Sequence, residues 1–129
     1  KVLTGEEVKT EKLLNFSQTR ALNAAMSRSL TLIQGPPGTG KTTTCVEVLR
    51  KWALMFQPKR RKTTKILATS GSNIAVDNLV EGLVATGIKV VRLGRPETMR
   101  PEVSRSVVQN VAMAKLGVAS FKDVPEKDK

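Results

Sequence analysis

The chain has 129 residues, with 22 lysines and arginines against 11 aspartates and glutamates, one cysteine and no histidine. That length bounds it to one small domain, and a lone Cys45 without histidines excludes an intramolecular disulfide and the usual zinc frameworks. A net charge of +11 asks for a polyanionic partner such as nucleic acid, or else serves solubility alone.

The chain opens on Lys1 and closes on a polar run at 122–129, so both ends read as cuts in a longer protein. Thr4-Gly5-Glu6-Glu7 has the form of a capping box and predicts a short helix running to about Leu14. A second helix is expected from Gln18 to Met26, capped by Ser17 and carrying Ala21, Leu22, Ala25 and Met26 on one face. Leu30 to Gln34 is a short apolar run that stops at a glycine, which reads as a buried strand entering a loop.

From Thr42 to about Gln57 there is no glycine or proline, and Val46, Leu49, Ala53 and Phe56 recur at helical spacing until Pro58 ends the run. The basic turn Lys59 to Lys62 precedes a second strand at Ile66 to Ala68. Val76, Leu79, Val80, Leu83 and Val84 then mark the buried stripe of a helix ending near Gly87. A third strand is expected from Lys89 to Leu93, and Pro101, Val103, Val107 and Val111 predict a last helix ending near Gly117. Strands alternating with helices imply parallel pairing with right-handed crossovers, so the class is α/β: a parallel sheet flanked by helices. No apolar run approaches the roughly 20 residues that cross a bilayer. A soluble protein of a reducing intracellular compartment, cytoplasm or nucleus, is therefore expected, with no membrane partner.

Gly35-Pro36-Pro37-Gly38-Thr39-Gly40-Lys41-Thr42 satisfies the G-x-x-x-x-G-K-[ST] pattern between a strand and a helix, where its mechanism needs it. Its glycines let backbone N–H groups approach phosphate oxygens, and the helix start adds about half a positive charge. Lys41 supplies a full charge at the β and γ phosphates, and Thr42 offers its hydroxyl to Mg²⁺, with Thr43 following on the first turn. The expected ligand is a nucleoside triphosphate carrying Mg²⁺, and Lys41 and Thr42 are the residues expected to act on it. The loop fixes a ligand and not a task, since kinases, motor ATPases and other NTPases share it.

The neighbouring segments narrow the class. Leu14-Asn15-Phe16-Ser17-Gln18, the loop through Thr44, Ser72-Asn73-Ile74-Ala75-Val76-Asp77-Asn78-Leu79, and Val91-Arg92-Leu93-Gly94-Arg95-Pro96 together resemble superfamily 1 helicases of the up-frameshift and senataxin type, over about residues 14–103. The resemblance implies two RecA-like domains with ATP between them and single-stranded RNA or DNA crossing both. This chain would be the first part of the first domain, a P-loop NTPase fold, and would need the second domain as a partner.

By the same resemblance Gln18 matches an adenine-reading glutamine, because an amide can pair with adenine N7 and N6 and so favour ATP over GTP. Taken alone, it is an exposed amide in a helix's first turn. Thr69, Ser70, Gly71, Ser72 and Asn73 match a motif that grips the nucleic-acid backbone, although Gly71 stands where the family commonly has proline. Ser72 and Asn73 are also ordinary helix-capping residues, and the two roles are compatible. Arg92, Arg95 and Arg100 fall in a loop resembling the family's next nucleic-acid-facing segment; a solvated basic loop is the other reading.

No apolar run ends in the Asp-Glu pair that hydrolysis requires, and Asp77, Glu97 and Asp123 fall on a helix, a loop and the tail. The family pattern puts that pair beyond residue 129, so the chain alone is expected to be inactive and, with sheet edges uncovered, marginally stable. Two other readings stay open: another P-loop kinase or ATPase, and a truncated piece that binds ATP or nucleic acid without turnover.

Overall fold

A computed structural model describes residues 14–55 and 65–116. The first expected helix, the basic turn at 59–62 and the polar tail lie outside the described residues.

The first helix, α1, spans Phe16–Ser27 and is capped by Asn15, not by Ser17. The Asn15 side chain accepts from the Gln18 backbone N–H at 2.9 Å, and the Gln18 side chain accepts from the Asn15 backbone N–H at 3.0 Å. This reciprocal pair satisfies two N–H groups that a helix start otherwise leaves without partners. The N-x-x-Q spacing carried that signal in the sequence.

Helix α2 spans Lys41–Met55 and α3 spans Asn73–Ala85. Leu22 and Ala25 of α1 pack on Val48 of α2, flanked by Leu14, Met26 and Trp52, and this cluster ties the phosphate loop's helix to the segment carrying Gln18. Gly82 lets α3 approach α2 closely: a Cβ there would come within 2.7 Å of Val46 Cγ2. The entropic cost of a mid-helix glycine is offset by that approach. Glu47 and Arg50 form a buried i,i+3 pair at 2.6 Å on α2.

The last expected helix is two elements. Pro101–Ser106 is a 3-10 segment, Val107 bridges to Arg92, and α4 runs over Val108–Leu116. The valine spacing held because Val103 and Val107 are both buried. The single helix did not, because the backbone at 106–108 bonds to Arg92: its N–H reaches Ser106 O at 2.6 Å and its carbonyl accepts from Val108 N at 3.1 Å.

The parallel sheet expected from the alternating pattern is not formed among the described residues. The segments at 30–34, 66–68 and 89–91 carry no strand pairing, and the Arg92 to Val107 contact is an isolated parallel bridge. A strand is defined by a neighbour that takes its N–H and carbonyl groups, and a local apolar run cannot supply one. The period-2 placement is nevertheless present. Leu30 and Leu32 are 77% and 89% exposed, whereas Thr31 and Ile33 line a cleft with Val48, Leu49, Trp52 and Leu79. No described helix is long and apolar enough to cross a membrane.

Candidate functional site

The loop at 35–40 leads directly into α2, so the N–H groups of Lys41, Thr42 and Thr43 at the helix start have no carbonyl of the preceding turn to bond, whereas Thr44 N bonds Gly40 O. Gly38 and Gly40 have φ of 78° and 80°, the left-handed region that side chains with a Cβ avoid. At Gly40 a Cβ would also run into the Gln18 amide nitrogen.

Lys41 folds back over the loop. Its Nζ donates to the carbonyls of Gly35 and Pro36, each at 2.7 Å. An ammonium has three N–H donors, so one is left for an anion held in the loop. Thr39 closes the loop from within, its hydroxyl donating to Pro36 O at 2.8 Å. Thr44, buried one turn into α2, donates its hydroxyl to Gly40 O at 3.1 Å. The sequence reading included Thr44 in the loop segment without giving it a role; its position four residues after Gly40, one helical turn, was the available signal. Pro37 and Thr42 are exposed at the mouth of the loop, and Thr43 is half-buried.

Gln18 is brought to the loop as expected, but by way of the backbone. Its Nε2 donates to Thr39 O at 3.1 Å while its Oε1 completes the Asn15 capping box. One side chain thus ties the start of α1 to the phosphate loop, and both line one cleft with Ala21, Thr31, Gln34 and Lys41.

A second group of residues gathers at the start of α3. Ser72 holds the N-cap position without a side-chain capping bond, and Asn73 begins the helix. Ser70, Ser72 and Asn73 are all exposed, with Ser70 Oγ accepting from Ser72 N at 3.4 Å. The hydroxyls and the first-turn N–H groups are therefore open to an anion.

The three expected loop arginines separate. Arg95 is exposed. Arg92 is 6% exposed, and its guanidinium is engaged on every nitrogen: Nε with Asp77 Oδ1 at 3.0 Å, Nη2 with Asn73 Oδ1 at 3.0 Å, and Nη1 with Leu93 O. Asp77, 1% exposed, also accepts from the Arg100 backbone N–H at 3.1 Å. Arg100 reaches Asn78 Oδ1 at 2.6 Å and Glu81 Oε1 at 3.0 Å. Asp77 therefore joins α3 to the loop at 92–100. The sequence reading set Asp77 aside as an acid on a helix; its partner lies 15 residues away on another element, where no local pattern points to it.

The sequence profile of an AAA domain family matches residues 13–124. The chain belongs to this AAA domain family. Members of the up-frameshift type resemble it over most of its length. It is 44% identical over 94 residues to the ATP-dependent helicase upf1 of Schizosaccharomyces pombe, 73% of this chain and 10% of the relative. It is 40% identical over 102 residues to the DNA polymerase alpha-associated DNA helicase A of the same yeast, 78% of this chain and 14% of the relative. The DNA-binding protein SMUBP-2 of Mus musculus is 41% identical over 91 residues, 70% of this chain and 8% of the relative. The AAA domain chain thus spans about a tenth of the length of these proteins. No solved structure matches it.

Proposed function

We propose that this chain is the ATP-binding front of an ATP-dependent helicase or translocase acting on single-stranded RNA or DNA. The observation that carries the reading is the phosphate loop closed by Lys41 and joined to Gln18. Names of relatives such as the helicases of Schizosaccharomyces pombe supply the class of reaction.

In this reading the loop amides from Gly35 to Gly40 take the β and γ phosphates, and Lys41 turns its remaining donor onto them. Gln18 exchanges its bond to Thr39 O for the adenine edge, so base recognition and loop conformation are linked through one amide. Thr42, an exposed oxygen donor on the first turn of α2, is the residue that would hold Mg²⁺, which neutralises charge on the phosphates. Among the described residues no cluster of acidic side chains joins it. The acids that position the attacking water and the second RecA-like domain are proposed to come from the rest of the protein. Its strands would also pair with the segments at 30–34 and 66–68 to complete a parallel sheet. A free Cys45 suits a reducing intracellular compartment, cytoplasm or nucleus.

Single strands cross above the start of α3, where Ser70, Ser72, Asn73 and the first-turn N–H groups take one phosphate and Arg95 another. The net charge of +11 draws the polyanion in. In the intact protein, single strands are expected to stimulate ATP hydrolysis; a rate indifferent to them would favour another P-loop ATPase or kinase. The paired substitution Ser72→Ala with Asn73→Ala is expected to weaken single-strand binding roughly tenfold, from the loss of two hydrogen bonds of about 1 kcal/mol or less each. Titrations of a labelled oligonucleotide across salt would show this, and unchanged affinity would remove the segment from the nucleic-acid path.

A further inference from the structure

We infer that Arg92 is a positioning residue that orients Asn73 toward the nucleic acid and does not itself touch a phosphate; this rests on the reading of the α3 start given above. An arginine after a strand in a basic chain suggests a phosphate contact, but this guanidinium is buried and spends each nitrogen on the protein. Three of its five N–H donors are spent inside the protein, and at 6% exposure the residue is closed off from a phosphate at the surface.

What they accomplish is directional. A guanidinium only donates, so the oxygen of the Asn73 amide must face Nη2, which lies 3.0 Å from it. The amide's NH₂ group is then turned away from Arg92, and Asn73 is exposed, so two donors are presented to the surface beside the open α3 N-terminus. Without the guanidinium the amide could flip and offer its oxygen, which repels a phosphate.

Arg92 is itself held at both ends. Its side chain is fixed by the buried Asp77 carboxylate, and its backbone by Ser106 and Val108. The Asp77, Arg92 and Asn73 side chains therefore form one chain of bonds from the core to the surface.

Direct contact and positioning differ in salt dependence. A cation on a phosphate releases counterions, and its removal lowers the salt slope by about 1; a neutral amide releases none. The test uses the intact protein, a fluorescent single-stranded oligonucleotide, and the variants Asn73→Ala, Arg92→Met, Arg92→Lys and the double Arg92→Lys with Asn73→Ala. Arg92→Lys keeps a cation near Asp77 should Arg92→Met fail to fold, yet it replaces with a single nitrogen the planar fork whose Nε and Nη2 meet Asp77 and Asn73 separately.

The expected result is a loss of about fivefold for Asn73→Ala and for Arg92→Lys, no further loss in the double variant, and an unchanged slope for Arg92→Met, from one hydrogen bond's worth of affinity. Mg-ATP affinity stays at the wild-type value in each, which a general loss of structure would not allow. Wild-type affinity in Arg92→Lys, multiplicative losses in the double variant, or a slope reduced by about 1 in Arg92→Met would overturn the inference while leaving the nucleic-acid reading intact. Wild-type affinity in Asn73→Ala would overturn that reading, and the inference with it.

Discussion

Lys41→Ala is expected to weaken Mg-ATP binding about a hundredfold or more while leaving the helix content unchanged. Among the described residues the ammonium bonds the carbonyls of Gly35 and Pro36, so its removal frees the loop without touching the core cluster of Leu22, Ala25 and Val48. What is lost is a full charge beside the phosphates and the one charge-assisted bond left to the ammonium, worth up to about 3 kcal/mol, which gives the hundredfold figure. Displacement of a fluorescent ATP analogue, with far-ultraviolet circular dichroism beside it, measures both quantities. Wild-type affinity in the variant would remove Lys41 from the nucleotide site.

The second large effect falls on stability. Asp77→Ala removes the carboxylate that faces Arg92 and receives the Arg100 backbone N–H, leaving a guanidinium that is 6% exposed without its charge partner. Breaking a buried pair from one side costs roughly 3–5 kcal/mol, far more than a surface pair is worth. Denaturant unfolding should show that loss in full. Replacing both partners, Asp77→Leu with Arg92→Met, should recover part of it, because no buried charge is then left over. A loss under about 1 kcal/mol in the single variant would mean that the pair contributes no more than an exposed one.

These two expectations differ in how far the sequence alone could reach them. The phosphate loop was legible because its chemistry is local: glycines, one lysine and one hydroxyl at fixed spacing need only a helix after them, and α2 begins at Lys41. Helix α3 was legible for the same reason, with Val80 and Leu83 buried on the expected stripe, although Val84, counted in that stripe, lies 50% exposed near the helix end. The start of α1 was misplaced by two residues because Ser17 and Asn15 are both capping types, and only the reciprocal bond with Gln18 distinguishes them.

The rest depended on partners far along the chain. An apolar run at 30–34 announces a strand's composition but not the neighbour it pairs with, and among the described residues it pairs with none. The helix expected from Pro101 onward was broken by backbone bonds to Arg92 that no valine spacing encodes. Arg92 shows the limit most clearly: its residue type and loop context pointed outward, and burial beside Asp77 turned it inward.

The central claim is that loop amides, the Lys41 ammonium and the Thr42 hydroxyl converge on a triphosphate with its magnesium. Calorimetric titration of Mg-ATP into the folded protein tests it most directly. The account predicts saturable heat from one site per chain, with weaker binding for Mg-GTP because the proposed reading sets the Gln18 amide against adenine. A titration that shows no binding of any Mg-nucleotide would contradict it.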